Sequence, residues 1–290
     1  MSWNCRGLGN PTAIRVLADL VRMKRPKVVF FMETFVDRSR MESVRVQLGF
    51  DSVFVVDAVG HSGGLAMLWL NSVCLQVTAY DSNFIDARVE LEAGSPGWRF
   101  TGYYGFSERA RRREAWQLLR NLAGQSTEPW VIMGELNDLL HQNEKKSRAP
   151  HPPWCITGFG DAVVDCGLQD LPFSEYQYTW VRSWGRSYMV EEKLDRILVT
   201  EDWRTLFAEA TTCSLPCVYS DHMPLLLTPV AAVNAVRRKR FLFDNMWLRE
   251  DGCREIVAHS WDRTRQDVLR RIESCGRDIW KWGKTYNRDF

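Results

Sequence analysis

The polar residues able to do chemistry in this chain stand at the ends of short apolar runs. Asn4 follows Trp3, Glu33 follows the run 28–32, and Tyr104 closes the run 98–104. Glu135 and Asn137 come after 130–134, Asp195 lies within 193–199, and Asp221-His222 stands just before Pro224. If these runs are strands, a sheet presents the side chains at one rim. Taken singly, a carboxylate at a strand end is a solvated turn residue. Together the set offers oxygen ligands for a hard cation, a histidine that titrates near neutrality and amide donors for phosphate oxygens. That is the inventory for hydrolysing a phosphodiester with Mg²⁺.

Competing chemistries fit less well. Gly60-His61-Ser62-Gly63-Gly64 satisfies the Gly-x-Ser-x-Gly pattern of serine hydrolases, whose serine must sit between a strand and a helix. Here an apolar, strand-like run, 65–70, follows it. The most suggestive Asp/His pairing downstream is the adjacent Asp221-His222, whose side chains point to opposite sides of an extended chain. The pentapeptide is therefore read as the glycine-rich turn of a hairpin. No phosphate-loop Gly-x-x-x-x-Gly-Lys-Ser/Thr occurs. The histidines include no His-x-x-x-His or His-Glu-x-x-His pair and the eight cysteines show no Cys-x-x-Cys spacing, so no zinc is expected, and the cysteines are expected to be buried free thiols.

The elements that must position the site follow from periodicity. Apolar, β-branched-rich runs at 28–32, 53–56, 65–70, 73–80, 98–104, 130–133, 193–199 and 225–228 predict strands, and the imperfect alternation of 84–91 predicts one with a wet face. Asn10-Pro11, a cap followed by a residue suited to the first helical position, predicts a helix to about Lys24 with Ile14, Leu17, Leu20 and Val21 on one face. A second helix is expected from near Ser107, carrying Ala115, Trp116, Leu118, Leu119, Leu122 and Ala123, with 109–113 as its solvated face. The segment 141–158, dense in Pro, Lys and Arg, reads as a surface loop. Strands interleaved with helices favour an α/β or α+β sandwich.

The chain has 290 residues, 45% hydrophobic and 26% charged, with 38 Lys+Arg against 36 Asp+Glu, so no global charge argues for nucleic acid or membrane. The distribution is uneven: residues 230–290 carry 14 basic and 9 acidic residues, against 24 and 27 in 1–229. From Pro229 the texture also changes, to Val-Ala-Ala-Val-Asn-Ala-Val-Arg-Arg-Lys-Arg and then to a stretch with Val257, Trp261, Val268 and Ile272 on one helical face. Two domains are expected, 1–229 and 230–290. No apolar run reaches the roughly 18–20 residues of a transmembrane helix, and no secretory signal opens the sequence. An intracellular protein is expected.

Read in order, Trp3-Asn4-Cys5-Arg6-Gly7-Leu8-Gly9, Phe31-Met32-Glu33-Thr34, Gly63-Gly64-Leu65-Ala66, Tyr104-Gly105, Gly134-Glu135-Leu136-Asn137, Leu194-Asp195-Arg196 and Ser220-Asp221-His222 resemble the endonuclease/exonuclease/phosphatase superfamily. Within it they look like the endonuclease domain of plant LINE-type (non-LTR) retrotransposons, over about residues 1–229. Residues 240–248 resemble the segment that joins this domain to reverse transcriptase in such elements; no polymerase motif follows. The resemblance implies a four-layer α/β (α+β) sandwich of two mixed β-sheets flanked by helices, deoxyribonuclease I-like, with its site at one rim. It implies Mg²⁺, or Mn²⁺, as cofactor and DNA as partner. Glu33 would be the principal metal ligand, with Asp221 near the metal and Asn4 and Asn137 contacting phosphate or positioning the metal. His222, oriented by Asp195, would stabilise phosphorane-like charge or move a proton. Tyr104 would hydrogen-bond phosphate, and Ser220 and Thr179 would support the site from behind.

Two departures from the family pattern stand out. Glu135 occupies the place of an aspartate thought to orient or deprotonate the attacking water, and only Met1-Ser2-Trp3 precede Asn4, where a longer first strand is usual. The expectation is a DNA-nicking endonuclease, as a fragment or remnant of a larger element. The alternatives are a weakened remnant that binds metal or DNA and a phosphomonoesterase of the same fold. Arg237-Arg238-Lys239-Arg240 is compatible with a nuclear signal.

Overall fold

The computed structural model describes all residues except 59–62, 92–93, 174–175, 184, 187, 231–249, 264–267 and 287–290. Residues 60–62 of the expected turn 60–64, the basic run 237–240 and the linker-like segment 240–248 lie outside the described residues. The chain divides into two compact units, Met1–Ala232 and Val233–Phe290.

In chain order the strands of the first unit are β1 (Ser2–Asn4), β2 (Val28–Met32), β3 (Ser52–Val56), β4 (Leu65–Trp69), β5 (Cys74–Asp81), β6 (Phe84–Glu90), β7 (Trp98–Tyr104), β8 (Trp130–Glu135), β9 (Lys145–Lys146), β10 (Leu168–Asp170), β11 (Trp180–Arg182), β12 (Val190–Glu192), β13 (Asp195–Thr200), β14 (Thr211–Ser214) and β15 (Leu225–Thr228). Its α-helices are α1 (Pro11–Lys24), α2 (Arg38–Leu48), α3 (Arg112–Ala123), α4 (Pro153–Asp165) and α5 (Glu201–Leu206). One mixed sheet runs β14-β15-β1-β2-β4-β3 and a second β10-β13-β8-β7-β6-β5, with a small β11-β12-β9 sheet beside them.

Strand alternation builds the layers. Phe31 turns to one face of its sheet and packs with Trp3, Leu17, Met41 and Val44 under α1 and α2, while Phe30 turns to the other and meets Ile85, Phe100 and Met133 between the sheets. Trp116 and Leu119 of α3 and Phe159 and Val163 of α4 cover the outer face of the second sheet over Ile132 and Leu198. The result is helix, sheet, sheet, helix, the four layers expected.

Several local features differ from the sequence reading. The Asn10 side chain accepts from Thr12 N at 2.8 Å and α1 ends at Lys24, as predicted. The helix expected from Ser107 starts at Arg112, after a 3₁₀ turn at Arg109–Arg111. Arg112 is buried rather than on a solvated face, because its guanidinium turns inward to the Phe106 carbonyl and to Asp138, 3.8 Å away. The segment 141–158 is not a loop throughout: α4 begins at Pro153, with Cys155, Phe159, Ala162 and Val163 buried at helical spacing. Gly158 diluted that signal, and it is glycine because a Cβ there would come within 2.2 Å of the Trp116 ring. Helix α2, capped by Asp37 and closed by a left-handed Gly49, was not anticipated. None of the eight cysteines forms a disulfide, but Cys74 is exposed and Cys166, Cys213 and Cys217 are half-buried.

The second unit contains two helices, α6 (Asp251–Arg263) and α7 (Val268–Tyr286). Val257, Trp261, Val268 and Ile272 are exposed instead of forming a buried face; Cys253 and Ile279 are buried there, with Ile256 and Trp282 packed against them. Val257 and Trp261 lie in α6 and Val268 and Ile272 in α7, so the four do not share one helix. Among the described residues no helix is long and apolar enough to cross a membrane.

Candidate active site

Strand direction and register bring the predicted side chains to one rim. β1 runs parallel to β2 with Asn4 beside Met32, so Asn4 and Glu33 leave the sheet at the same end. β15 is antiparallel to β1, which delivers the preceding Ser220, Asp221 and His222 to that end as well. In the second sheet β7 is parallel to β8 with Tyr104 beside Glu135, and antiparallel β13 sets Asp195 opposite Glu135. Gly134 lets β8 lie this close: its φ is +150° and a Cβ would come within 1.9 Å of the Tyr103 carbonyl oxygen. Three side chains of the rim sit on left-handed non-glycine backbone, Arg6 at φ 50°, Glu33 at 51° and Asn137 at 58°. Such positions cost about 1–3 kcal/mol each and persist where the surroundings enforce them.

Two groups of contacts face each other. In the first, His222 Nδ1 lies 2.8 Å from Asp195 Oδ2, and His222 Nε2 lies 3.8 Å from Glu135 Oε2. Asn4 Nδ2 donates to that same Glu135 oxygen at 2.7 Å. Thr179 Oγ1 accepts from Leu194 N and Asp195 N at 3.0 and 2.9 Å, fixing the start of β13. Ser220 Oγ donates to the Asn4 carbonyl at 2.9 Å and accepts from His222 N at 3.1 Å, tying β1 to the histidine segment. Asn4, Glu135, Thr179, Asp195 and His222 are all buried.

In the second group, Tyr104 Oη donates to Glu33 Oε1 at 2.7 Å and Trp180 Nε1 donates to Asp221 Oδ2 at 2.8 Å. Arg6 bridges the two carboxylates: Nη1 donates to Glu33 Oε2 at 3.1 Å, and Nε and Nη2 donate to Asp221 at 3.0 and 3.2 Å. Asn137 stands nearby, with Nδ2 on the Gly105 carbonyl at 3.1 Å. Thus Asp221 and His222 are adjacent in sequence yet serve different groups, as extended-chain geometry requires.

The electrostatics follow from burial and charge. Burial, reinforced by Asp195 and Glu33, pushes the Glu135 carboxyl above the usual carboxylate range against the pull of His222 and Asn4. Burial alone would lower the His222 pKa; Glu135, Asp195 and Asp221 outweigh it and hold the imidazole above its ordinary value. Burial likewise opposes ionisation of Asp221, but Arg6, His222 and Trp180 keep its carboxyl below the usual range. Burial and the charges of Glu135 and Glu33 push the Tyr104 phenol far upward, so it remains a neutral donor. A buried carboxyl and a buried imidazole in a cleft, both with raised pKa, are the arrangement expected of acid–base chemistry.

The cleft in front of these residues has a volume of about 630 Å³, and its lining includes Arg109, Arg112, Lys145, which pairs with Glu192, and Arg182. Sequence reasoning missed Arg6 and Trp180 as members of the site, although Arg6 lies two residues after Asn4 and Trp180 follows Thr179. It also missed a second buried cluster, Asp138, His151 and Cys155, contributed by separate segments. That carboxylate is already engaged: Trp116 Nε1 donates to Asp138 at 2.9 Å and His151 Nε2 lies 3.0 Å away.

For a hard divalent cation the donor set at the rim fits. Glu33, Asp221 and Asn4 offer only oxygen ligands, with Glu33 Oε2 and Asp221 Oδ1 turned to a cationic group.

Comparison with known proteins bears on the fold and the family. No curated protein matches the chain. Among solved structures, an AP endonuclease from Archaeoglobus fulgidus has a TM-score of 0.61 at 15% identity, covering 80% of this chain and 98% of its own. The endonuclease domain of TRAS1, a telomere-specific non-LTR retrotransposon, gives 0.59 at 14% identity, with 80% and 98% covered. A 3'-5' exonuclease from Neisseria meningitidis gives 0.57 at 16%, with 78% and 97% covered. These likenesses establish the deoxyribonuclease I-like fold. The sequence model of the endonuclease/exonuclease/phosphatase family matches residues 1–222, and the chain belongs to that family.

Proposed function

We propose that the protein is a divalent-metal-dependent phosphodiesterase that nicks DNA, and that it derives from a LINE-type retrotransposon. The observation that carries the reading is the His222–Asp195 pair, with Glu135 beside it, in a cleft whose lining also carries Arg109, Arg112, Lys145 and Arg182. Glu33 and Asp221, with Asn4, would hold Mg²⁺ or Mn²⁺. When bound, such a cation neutralises charge on the phosphoryl group and its leaving oxygen.

The chain's own residues then have separable tasks. Asp195 fixes the imidazole through Nδ1 and leaves Nε2 for the phosphoryl oxygen, where a protonated ring offsets developing negative charge. Glu135 accepts the proton of the attacking water, with its oxygen oriented by Asn4. Asn137 offers an amide at the same rim. Arg109, Lys145 and Arg182 contact phosphates flanking the scissile one, a sequence-independent attraction. The ordered motifs of residues 1–229 and the fold shared with the TRAS1 domain support the retroelement origin. Action on genomic DNA would place the protein in the nucleus.

The test compares relaxation of supercoiled plasmid with phosphate release from a phosphomonoester, each in Mg²⁺ and in EDTA. Relaxation that needs Mg²⁺, without comparable monoester hydrolysis, is expected. Monoester hydrolysis alone would move the assignment to a phosphatase, and metal-independent relaxation would refute the cofactor.

A further inference from the structure

We propose that Arg6 is an internal counter-cation that closes the metal seat in the free protein and exchanges with the divalent ion, which releases its guanidinium to a DNA phosphate. The inference rests on the metal-dependent reading above and adds a residue that couples metal to substrate.

The geometry separates what holds the carboxylates from what covers them. Tyr104 holds Glu33 through Oε1, and Trp180 holds Asp221 through Oδ2, both as neutral donors. Arg6 takes the remaining oxygens, Glu33 Oε2 and Asp221 Oδ1, and its Nη2 shares Asp221 Oδ2 with Trp180 at 3.2 Å. Removing the guanidinium therefore leaves two oriented carboxylates with one free oxygen each, facing the same space. A planar fork spans two carboxylates in this way; a lysine, as a point charge, does not.

Only the side chain needs to move. The loop after β1 is pinned to the backbone beyond β2: Cys5 N donates to the Met32 carbonyl, Gly7 N to Glu33 at 2.8 Å and Leu8 N to Thr34 at 2.9 Å. The Arg6 backbone is thus fixed in its left-handed conformation. Its side chain, by contrast, is 44% exposed and lines the cleft. When released it stays within the cleft where phosphate enters. Two ligands that each relieve a cost for the other bind cooperatively, so metal should tighten DNA binding and DNA should tighten metal binding.

Mn²⁺ binding to the full chain, followed by the electron paramagnetic resonance of free Mn²⁺ at fixed pH and ionic strength, tests this. Arg6→Met should bind Mn²⁺ about tenfold more tightly than wild type, and Arg6→Lys should fall between them. Arg182→Met removes another cleft cation without touching Glu33 or Asp221 and should change affinity less than twofold, which separates exchange from general repulsion. In a His222→Ala background, which blocks cleavage, Mn²⁺ should tighten binding of a duplex oligonucleotide only when Arg6 is present. If Arg6→Met fails to fold, Arg6→Lys carries the comparison. Equal or weaker Mn²⁺ affinity in the Arg6 variants, with wild type still binding, would overturn this proposal alone. If neither wild type nor the variants bind Mn²⁺, the metal-dependent reading falls with it.

Discussion

Glu135 is one methylene longer than the aspartate the family resemblance implies, and its carboxylate reaches Asn4 at 2.7 Å and stands 3.8 Å from His222 Nε2. That separation is too long for a hydrogen bond and too short for a bridging molecule, which needs about 4.5–5 Å between its two partners. The extra methylene thus narrows the gap between this carboxylate and the imidazole, beside which the phosphoryl oxygen and the attacking water of the proposed reaction must be seated. Glu135→Asp should open it and raise the nicking rate about 10- to 100-fold, since a misplacement of about 1 Å costs on that order. Measured initial rates that fall in the variant would show that the glutamate is correctly placed. At this scale much was legible: Asn4, Glu33, Tyr104, Glu135, Asp195, Asp221 and His222 are polar residues ending apolar runs, and all gather at the rim. Arg6 was not, because a guanidinium beside a carboxylate is a commonplace until geometry shows that it bridges two.

The elements are held in place by buried charge as well as by apolar layers. Glu144 accepts from Leu140 N at 2.7 Å and His141 N at 3.2 Å and pairs with Arg196 of β13, one residue past Asp195. Asp170 of β10 also pairs with Arg196, at 2.9 Å. Burial opposes the Glu144 charge, but Arg196 and the two backbone donors hold its pKa below the ordinary value of 4.5. The pair therefore contributes fully above that value and is lost as pH falls through the lower, folded pKa, because the unfolded chain takes up the proton first. Glu144→Gln should cost about 3 kcal/mol at neutral pH, the low end for breaking a buried pair because Asp170 remains. Denaturant titrations should show wild type losing stability more steeply than Glu144→Gln as pH drops below about 4.5; parallel curves would contradict the assignment. The long strands and α1 were readable from period and caps. The brief strands β9–β12 were not, because two or three residues carry no period, and α4 was hidden by its glycines and prolines.

For the whole molecule, a net charge of +2 cannot hold a polyanion by itself, so affinity must come from where charge is placed. The first unit is slightly acidic by composition, yet Arg109, Arg112, Lys145 and Arg182 line its cleft. That concentration was hidden in sequence because Arg109 and Arg112, Lys145 and Arg182 come from three separate segments, brought together at the cleft. Arg182→Ala should weaken binding to all duplex sequences alike and flatten the plot of log affinity against log salt by about 0.9, one phosphate contact. An unchanged slope would remove Arg182 from the DNA path. The proposed activity is phosphodiester hydrolysis at this rim with His222 at its centre. The most direct measurement is the Mg²⁺-dependent nicking rate of supercoiled plasmid by wild type and by His222→Ala purified side by side. A loss of about 10²- to 10³-fold in the folded variant is predicted; equal rates, or no nicking by folded wild type in Mg²⁺, would contradict it.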